Sequence, residues 1–187
     1  GGGGEKAARC PVCFVELQVD LRPGGAGFKK RRRGGGNGAK ARERRLLASG
    51  MATSSKLEAV LEEVQRMRER GPENKGVIFS QYTRMLALIM HRLQQAGVRA
   101  VRLAGDMPRE GRVAAVEAFQ GEKDVSVILI SLKAGGEGLN LQAANHVFLV
   151  DPWWNPASEM QAIDRTHRIG QTRAVKAVRF ITKGTIE

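Results

Sequence analysis

Cysteine is scarce in this chain: among 187 residues only Cys10 and Cys13 occur. Two thiols separated by two residues exclude a disulfide framework and have the spacing of half a zinc site. No apolar run is long enough to span a bilayer, and the opening GGGGEKAARC lacks the apolar core of a secretory signal. Both absences point to a soluble, intracellular protein with no membrane partner. A phosphate-binding GxxxxGK[ST] loop is also missing. The nearest match, GGNGAKA (35–41), has alanine after its lysine and lies in no strand-loop-helix context, and no DExH run occurs. This stretch of chain is therefore not expected to hydrolyse a nucleoside triphosphate by itself. Acidic residues are the last deficit, 19 against 31 lysines and arginines, for a net charge of +12. Such an excess favours a polyanionic partner such as nucleic acid.

The excess is unevenly spread. Residues 1–56 hold 13 basic and 4 acidic side chains, whereas 57–187 hold 18 and 15. Residues 22–50 mix glycine with charge around KKRRR (29–33), offer almost nothing for a core, and read as a linker. The basic cluster fits a nuclear-import signal or a nonspecific phosphate patch, though most such runs are simply solvated. Since the first residue is not methionine and the chain stops at TIE (185–187), it reads as part of a longer protein.

Beyond the linker the pattern changes. Ser55 and Glu58 fit a capping box ahead of Leu57, Val60, Leu61, Val64 and Met67 at helical spacing, with Gly71-Pro72 as the stop. Short apolar runs near 77–80, 98–103, 125–130, 146–150 and 175–181 then alternate with helical stretches near 82–96, 108–120 and 156–168. Gly97 and Gly121 stand where helix C-caps belong. Alternation of this kind predicts an α/β fold with a parallel sheet covered on both faces by right-handed crossovers. Ligands of such sheets gather at the carboxyl ends of the strands. The segments expected there are Ser80-Gln81, 131–138 and 151–155.

Four motifs carry chemistry. GVIFSQYTRML (76–86) runs from strand to helix start and leaves Ser80 and Gln81 where hydroxyl, amide and free N–H groups can meet a phosphate. SLKAGGEGLNL (131–141) combines Ser131 and Lys133 as phosphate contacts with three glycines that permit close backbone approach. DPWWNP (151–156) holds both tryptophans between prolines, and two such rings more often pack than stack on bases. QAIDRTHRIGQ (161–171) sets Arg165 and Arg168 three residues apart, side by side on one face of the predicted helix. Arginine forks stay charged and match phosphate oxygens in pairs. A bare pair of that spacing is usually a solvated surface feature, but these motifs follow one another in order.

Together they resemble the C-terminal motor lobe of the Swi/Snf-type superfamily II helicase-like ATPases, over residues 54–187. The resemblance implies a RecA-like lobe truncated at its C-terminus, preceded by a basic linker (22–53). CPVCFVELQVDL (10–21) resembles the tail of a RING zinc finger, so residues 1–21 are similar to the end of a truncated RING, as in RING-bearing nucleotide-excision-repair and post-replication-repair translocases. In that family Gln161, Arg165 and Arg168 correspond to motif VI, with the arginines as catalytic fingers. Gln161, Asp164 and Gly138 would contact the nucleotide, and Ser80, Gln81, Arg112, Ser131, Lys133 and Trp153 the DNA. Trp153 and Trp154 would brace the lobe and relay DNA contact. ATP and Mg2+ would be held mainly by an N-terminal RecA-like lobe, and zinc by Cys10 and Cys13 only within a complete RING.

The implied partners are double-stranded DNA and chromatin, with a ubiquitin-conjugating enzyme through the RING, in the nucleus. An arginine supplied across a cleft accelerates phosphoryl transfer by about a thousandfold to a hundred-thousandfold, roughly 4 to 7 kcal/mol. Two other readings stay open at this stage: a nonhydrolytic DNA- or chromatin-binding module, and the lobe of a single-strand helicase or RNA-dependent ATPase.

Overall fold

The computed structural model describes residues 54–105, 107–131, 139–168 and 170–182, and the backbone of two short strands, β1 (Ala8–Arg9) and β2 (Glu16–Leu17). Those two strands pair antiparallel, Ala8 opposite Leu17. The connecting segment 10–15, which contains Cys10 and Cys13, lies outside the described residues, as does KKRRR (29–33).

Buried strands read as continuous apolar runs when helices cover both faces of a parallel sheet. Here β3 (Gly76–Ser80, GVIFS), β5 (Val127–Ser131, VILIS) and β6 (His146–Leu149, HVFL) are buried at every position. With β4 (Ala100–Leu103) and β7 (Lys176–Arg179) they form one parallel sheet in the order β4-β5-β3-β6-β7. Side chains alternate between the two faces with period two. On one face Ile78, Val127, Leu129 and Phe148 pack with α1 (Ser55–Glu69) and α2 (Thr83–Gln95). On the other, Val77, Phe79, Ile128, Ile130, Val147 and Leu149 pack with Phe119 of α3 (Arg109–Gly121) and Ala162 of α4 (Pro156–Asp164). Each such side chain contributes about 1.5–3 kcal/mol on burial, so the sheet is held from both sides. The expected RecA-like α/β architecture is present. Among the described residues no helix is long and apolar enough to cross a membrane.

Local details differ from the sequence expectation where long-range partners intervene. The cap of α1 is Ser54, whose hydroxyl accepts the Leu57 N–H at 3.3 Å. Glu58 does not close a box with Ser55. It reaches Arg92 of α2 at 2.8 and 2.9 Å, a bidentate bridge that holds the carboxyl below its usual range. Gly97 does end α2 in the left-handed region (φ +70°), the conformation that favours glycine. Gly121, by contrast, is the last helical residue of α3 and has no left-handed φ. The end of α3 is served instead by Lys75, whose Nζ donates to the carbonyls of Phe119 at 2.6 Å and Glu122 at 2.7 Å. A cation there complements the negative end of the helix.

His146 opens β6 with only 6% exposure, its ring stacked near Phe148 and its Nδ1 3.0 Å from Asn145 Oδ1. Burial, reinforced by Lys176 and Arg70, lowers its pKa to about 4. The unfolded chain takes up this proton near pH 6.5 and the native chain only near pH 4. Stability attributable to His146 is therefore intact above about pH 6.5 and falls as pH drops toward 4, by at most about 3 kcal/mol. Urea titrations between pH 7 and 4 are expected to show a shallower acid loss in His146→Gln than in the unaltered chain, and parallel curves would refute the assignment.

Candidate functional site

The five strands of the parallel sheet point the same way, so their carboxyl ends form one edge. Ser80 and Ser131 lie opposite each other there at the ends of β3 and β5, and Asp151 follows β6. Ser80 is fully buried and turned inward: its hydroxyl donates to Asp151 Oδ2, and the same oxygen accepts the Gln81 N–H at 3.2 Å. The Tyr82 N–H closes back on Ser80 Oγ at 3.0 Å, and Gln81 Nε2 reaches the Pro152 carbonyl at 3.5 Å. Ser131 is likewise buried, at 5% exposure. The serines expected at phosphate are thus at the expected edge but below its surface. Ser80 is a strut between β3 and the turn after β6.

That turn is stiff for identifiable reasons. Pro156 occupies the first turn of α4, and Asn155 Oδ1 caps it by accepting the Ala157 N–H at 3.0 Å. Glu159, only 3% exposed, accepts the Trp153 N–H at 2.8 Å and pairs with Arg179 of β7. The two tryptophans part company on this frame. Trp153 is half-buried, whereas Trp154 is 86% exposed and does not brace the lobe. Anchors on both sides of residues 151–159 lock the backbone so that the second ring faces out. Tyr82, 58% exposed, follows the end of the neighbouring β3.

Helix α4 leads away from this edge toward the amino ends of the strands and stops at Asp164, four residues earlier than the sequence suggests. Arg165 is its C-cap, and Arg168 lies beyond the helix altogether, so the pair does not share a helix face. Thr166 lies in the turn that follows: its hydroxyl and its N–H both donate to the Ile163 carbonyl, at 2.7 and 3.0 Å. A second turn follows, closed by Gln171 N–H to Arg168 O at 2.9 Å, with Gly170 at φ +101° in its third position. An alanine there would be strained and would meet Gln142 Nε2 at 3.3 Å. Arg165 is half-buried and Arg168 exposed, and neither guanidinium has a hydrogen bond or ion pair among the described residues. Gln161 and Asp164 are exposed on α4, and Arg112 is half-buried on α3.

Lys133 and Gly138 lie outside the described residues. Among those described, no group of three or more His, Cys, Asp or Glu side chains is placed to hold a metal ion. One residue escaped the sequence reading. Gln171 donates from Nε2 to the carbonyls of Ala144 at 2.8 Å, Gln142 at 3.0 Å and Thr166 at 3.2 Å. The available signal was an amide side chain directly after a turn glycine.

Residues 55–170 match the helicase conserved C-terminal domain family. The chain is 40% identical over its whole length to the ATP-dependent helicase rhp16 of Schizosaccharomyces pombe, of which it spans 21%. It is 48% identical over 139 residues, 73% of its length, to the DNA repair protein RAD5 of Cryptococcus neoformans var. neoformans, of which the match spans 12%. A solved structure of the C-terminal part of the Fun30 ATPase domain superposes with a TM-score of 0.67 at 33% identity, covering 71% of this chain and 42% of that one.

The Glu159–Arg179 pair offers a direct check of the frame. Removing Arg179 leaves a carboxylate at 3% exposure without its cation. Arg179→Ala is expected to cost about 3–5 kcal/mol in chemical denaturation. Arg99→Ala, which opens a solvent-exposed pair with Glu122 and Asp124, should leave the midpoint nearly unmoved. Equal midpoints for the two variants would contradict the clamp.

Proposed function

Because the chain belongs to the helicase conserved C-terminal domain family, in its Swi/Snf-type branch of superfamily II, we propose that it is the C-terminal motor lobe of an ATP-dependent translocase on double-stranded DNA. The observation that carries this reading is the pair of uncommitted guanidiniums, Arg165 and Arg168, on a turn built by Thr166 and Gly170. Arginines with no partner among the described residues are available to neutralise an anion brought against them. Buried carbonyls and a glycine turn hold the backbone that carries them. Such preorganised charge stabilises phosphoryl oxygens at the transition state without reorganising at the moment of reaction.

The rest of the motor divides between two regions. At the carboxyl edge Gln81 and Lys133 would touch DNA phosphates. Ser80 and Asp151 would fix the backbone there, Ser131 would end β5 beneath it, and Arg112 would approach from α3. Trp154, not Trp153, is the ring free to lie against the duplex. At the far end of α4, about 13 Å away for nine residues of helix, Arg165 and Arg168 would meet the triphosphate. Gln161, Asp164 and Gly138 would line its approach. Mg2+, held mainly by an N-terminal lobe, would neutralise phosphate charge. Work in DNA repair fits the name of the RAD5 relative, and rhp16 is itself described as an ATP-dependent helicase; action on chromatin in the nucleus belongs to the same proposal. A complete RING upstream would bind zinc through Cys10 and Cys13 and recruit a ubiquitin-conjugating enzyme.

In the full-length motor, Arg168→Ala is expected to lower DNA-stimulated turnover by about a thousandfold or more while duplex affinity holds, because the lost contact forms chiefly in the transition state. Arg168→Lys should recover little, since lysine keeps the charge and loses the planar fork. Near-normal turnover in the alanine variant would strike Arg168 from the catalytic set. For the 187-residue chain itself, deleting residues 22–45 should weaken DNA binding and flatten its dependence on salt, as fewer counterions are released. An unchanged slope would move the nonspecific affinity to the folded lobe.

A further inference from the structure

Resting on that reading of the arginines, we infer that Gln171 is a positioning residue that ties the arginine turn to residues 139–145, the segment that enters β6. Residues 139–145 continue directly from 131–138 and enter β6 at His146. The turn at 165–171 is bonded to them by several independent contacts. The Leu141 N–H donates to the Arg165 carbonyl at 3.3 Å. The Gln171 amide spreads its two hydrogens over the carbonyls of Gln142, Ala144 and Thr166, and its Oε1 accepts the Arg173 N–H at 3.1 Å. Arg173 then donates to the Ala143 carbonyl at 2.7 Å. One side chain therefore reaches both segments at once, and the carbonyl of Arg168 receives the backbone N–H of that same residue.

The consequence is mechanical. A shift of 139–145 displaces the carbonyls on which Gln171 hangs, and through them the backbone that carries Arg165 and Arg168. Gln171 touches neither DNA nor nucleotide. It acts by setting where the two guanidiniums stand. Displacement of a catalytic group by about an ångström lowers rate up to about a hundredfold, which gives a small hydrogen-bonding residue a large reach.

The test uses the complete motor with duplex DNA and two variants. Gln171→Ala removes every side-chain contact, and Gln171→Glu keeps the shape while replacing two donors with a carboxylate facing three carbonyls. DNA-stimulated kcat should fall about ten- to a hundredfold in both, with KM for ATP and duplex affinity within about twofold of the parent. Amide exchange should accelerate in 139–145 and 165–171 together and stay unchanged in α1. Arg92→Ala, which opens the α1–α2 bridge, provides a control for loss of stability alone and should leave kcat in place. Parent-level kcat in both glutamine variants, or an equal kcat loss in Arg92→Ala, would overturn the inference. Exchange that accelerates in only one of the two segments would also overturn it. Should Arg168→Ala itself retain full turnover, the arginine reading falls and this inference with it. Loss in Arg168→Ala beside full turnover in both Gln171 variants overturns this inference alone.

Discussion

The all-parallel ladder centred on β3 is the constraint from which the rest follows. Parallel neighbours cannot be joined by hairpins, so each strand must be followed by a crossover that returns the chain to the starting edge. Every carboxyl end then lies on one side, and every helix between strands starts there and runs back. With β3 flanked by β5 and β6, Ser80, Ser131 and Asp151 become neighbours although they are distant in sequence. The same constraint sends α4 from the tryptophan turn to the opposite end of β6, where Arg165 and Arg168 are held. The tryptophan turn and the arginine turn are separated by one helix because the sheet leaves no other route.

Buried polar groups supply the precision that apolar packing does not. Ile, Val, Leu and Phe on both faces hold the sheet together but tolerate small shifts. Asp151 against Ser80 and Gln81, Glu159 against Arg179 and the Trp153 N–H, and Gln171 against three carbonyls each fix a loop at one geometry. Leaving any of these groups unpaired would cost a buried donor or acceptor its partner, which is the larger side of hydrogen-bond energetics. These loops are thus held where they meet the sheet, and among the described residues they expose Trp154, Tyr82 and Arg168.

Much of the fold was legible in the sequence because periodicity reports burial. GVIFS, VILIS and HVFL announce strands covered on both faces, and Leu57 to Met67 announce the apolar stripe of α1. What escaped depended on partners far away in the chain. Glu58 looked like a capping residue because Arg92, its partner, is 34 residues distant. Gly121 looked like a helix cap because Lys75, which serves that end, comes from before β3. The tryptophans looked alike, since nothing local reveals that Glu159 and Arg179 hold one inward and leave the other exposed. Arg165 and Arg168 were legible as a pair from residue type. Their geometry was not, because the helix ends at Asp164 and the chain turns between them.

The most direct test of a divided motor lobe is a structure of the full-length protein bound to duplex DNA and a transition-state mimic of the γ-phosphate. The sugar-phosphate backbone is expected along the carboxyl edge, against Gln81, Lys133 and Trp154, and the mimic within hydrogen-bonding distance of Arg165 and Arg168 at the other end of α4. A duplex crossing the amino ends of the strands, or both guanidiniums turned to solvent with the mimic bound, would contradict the division.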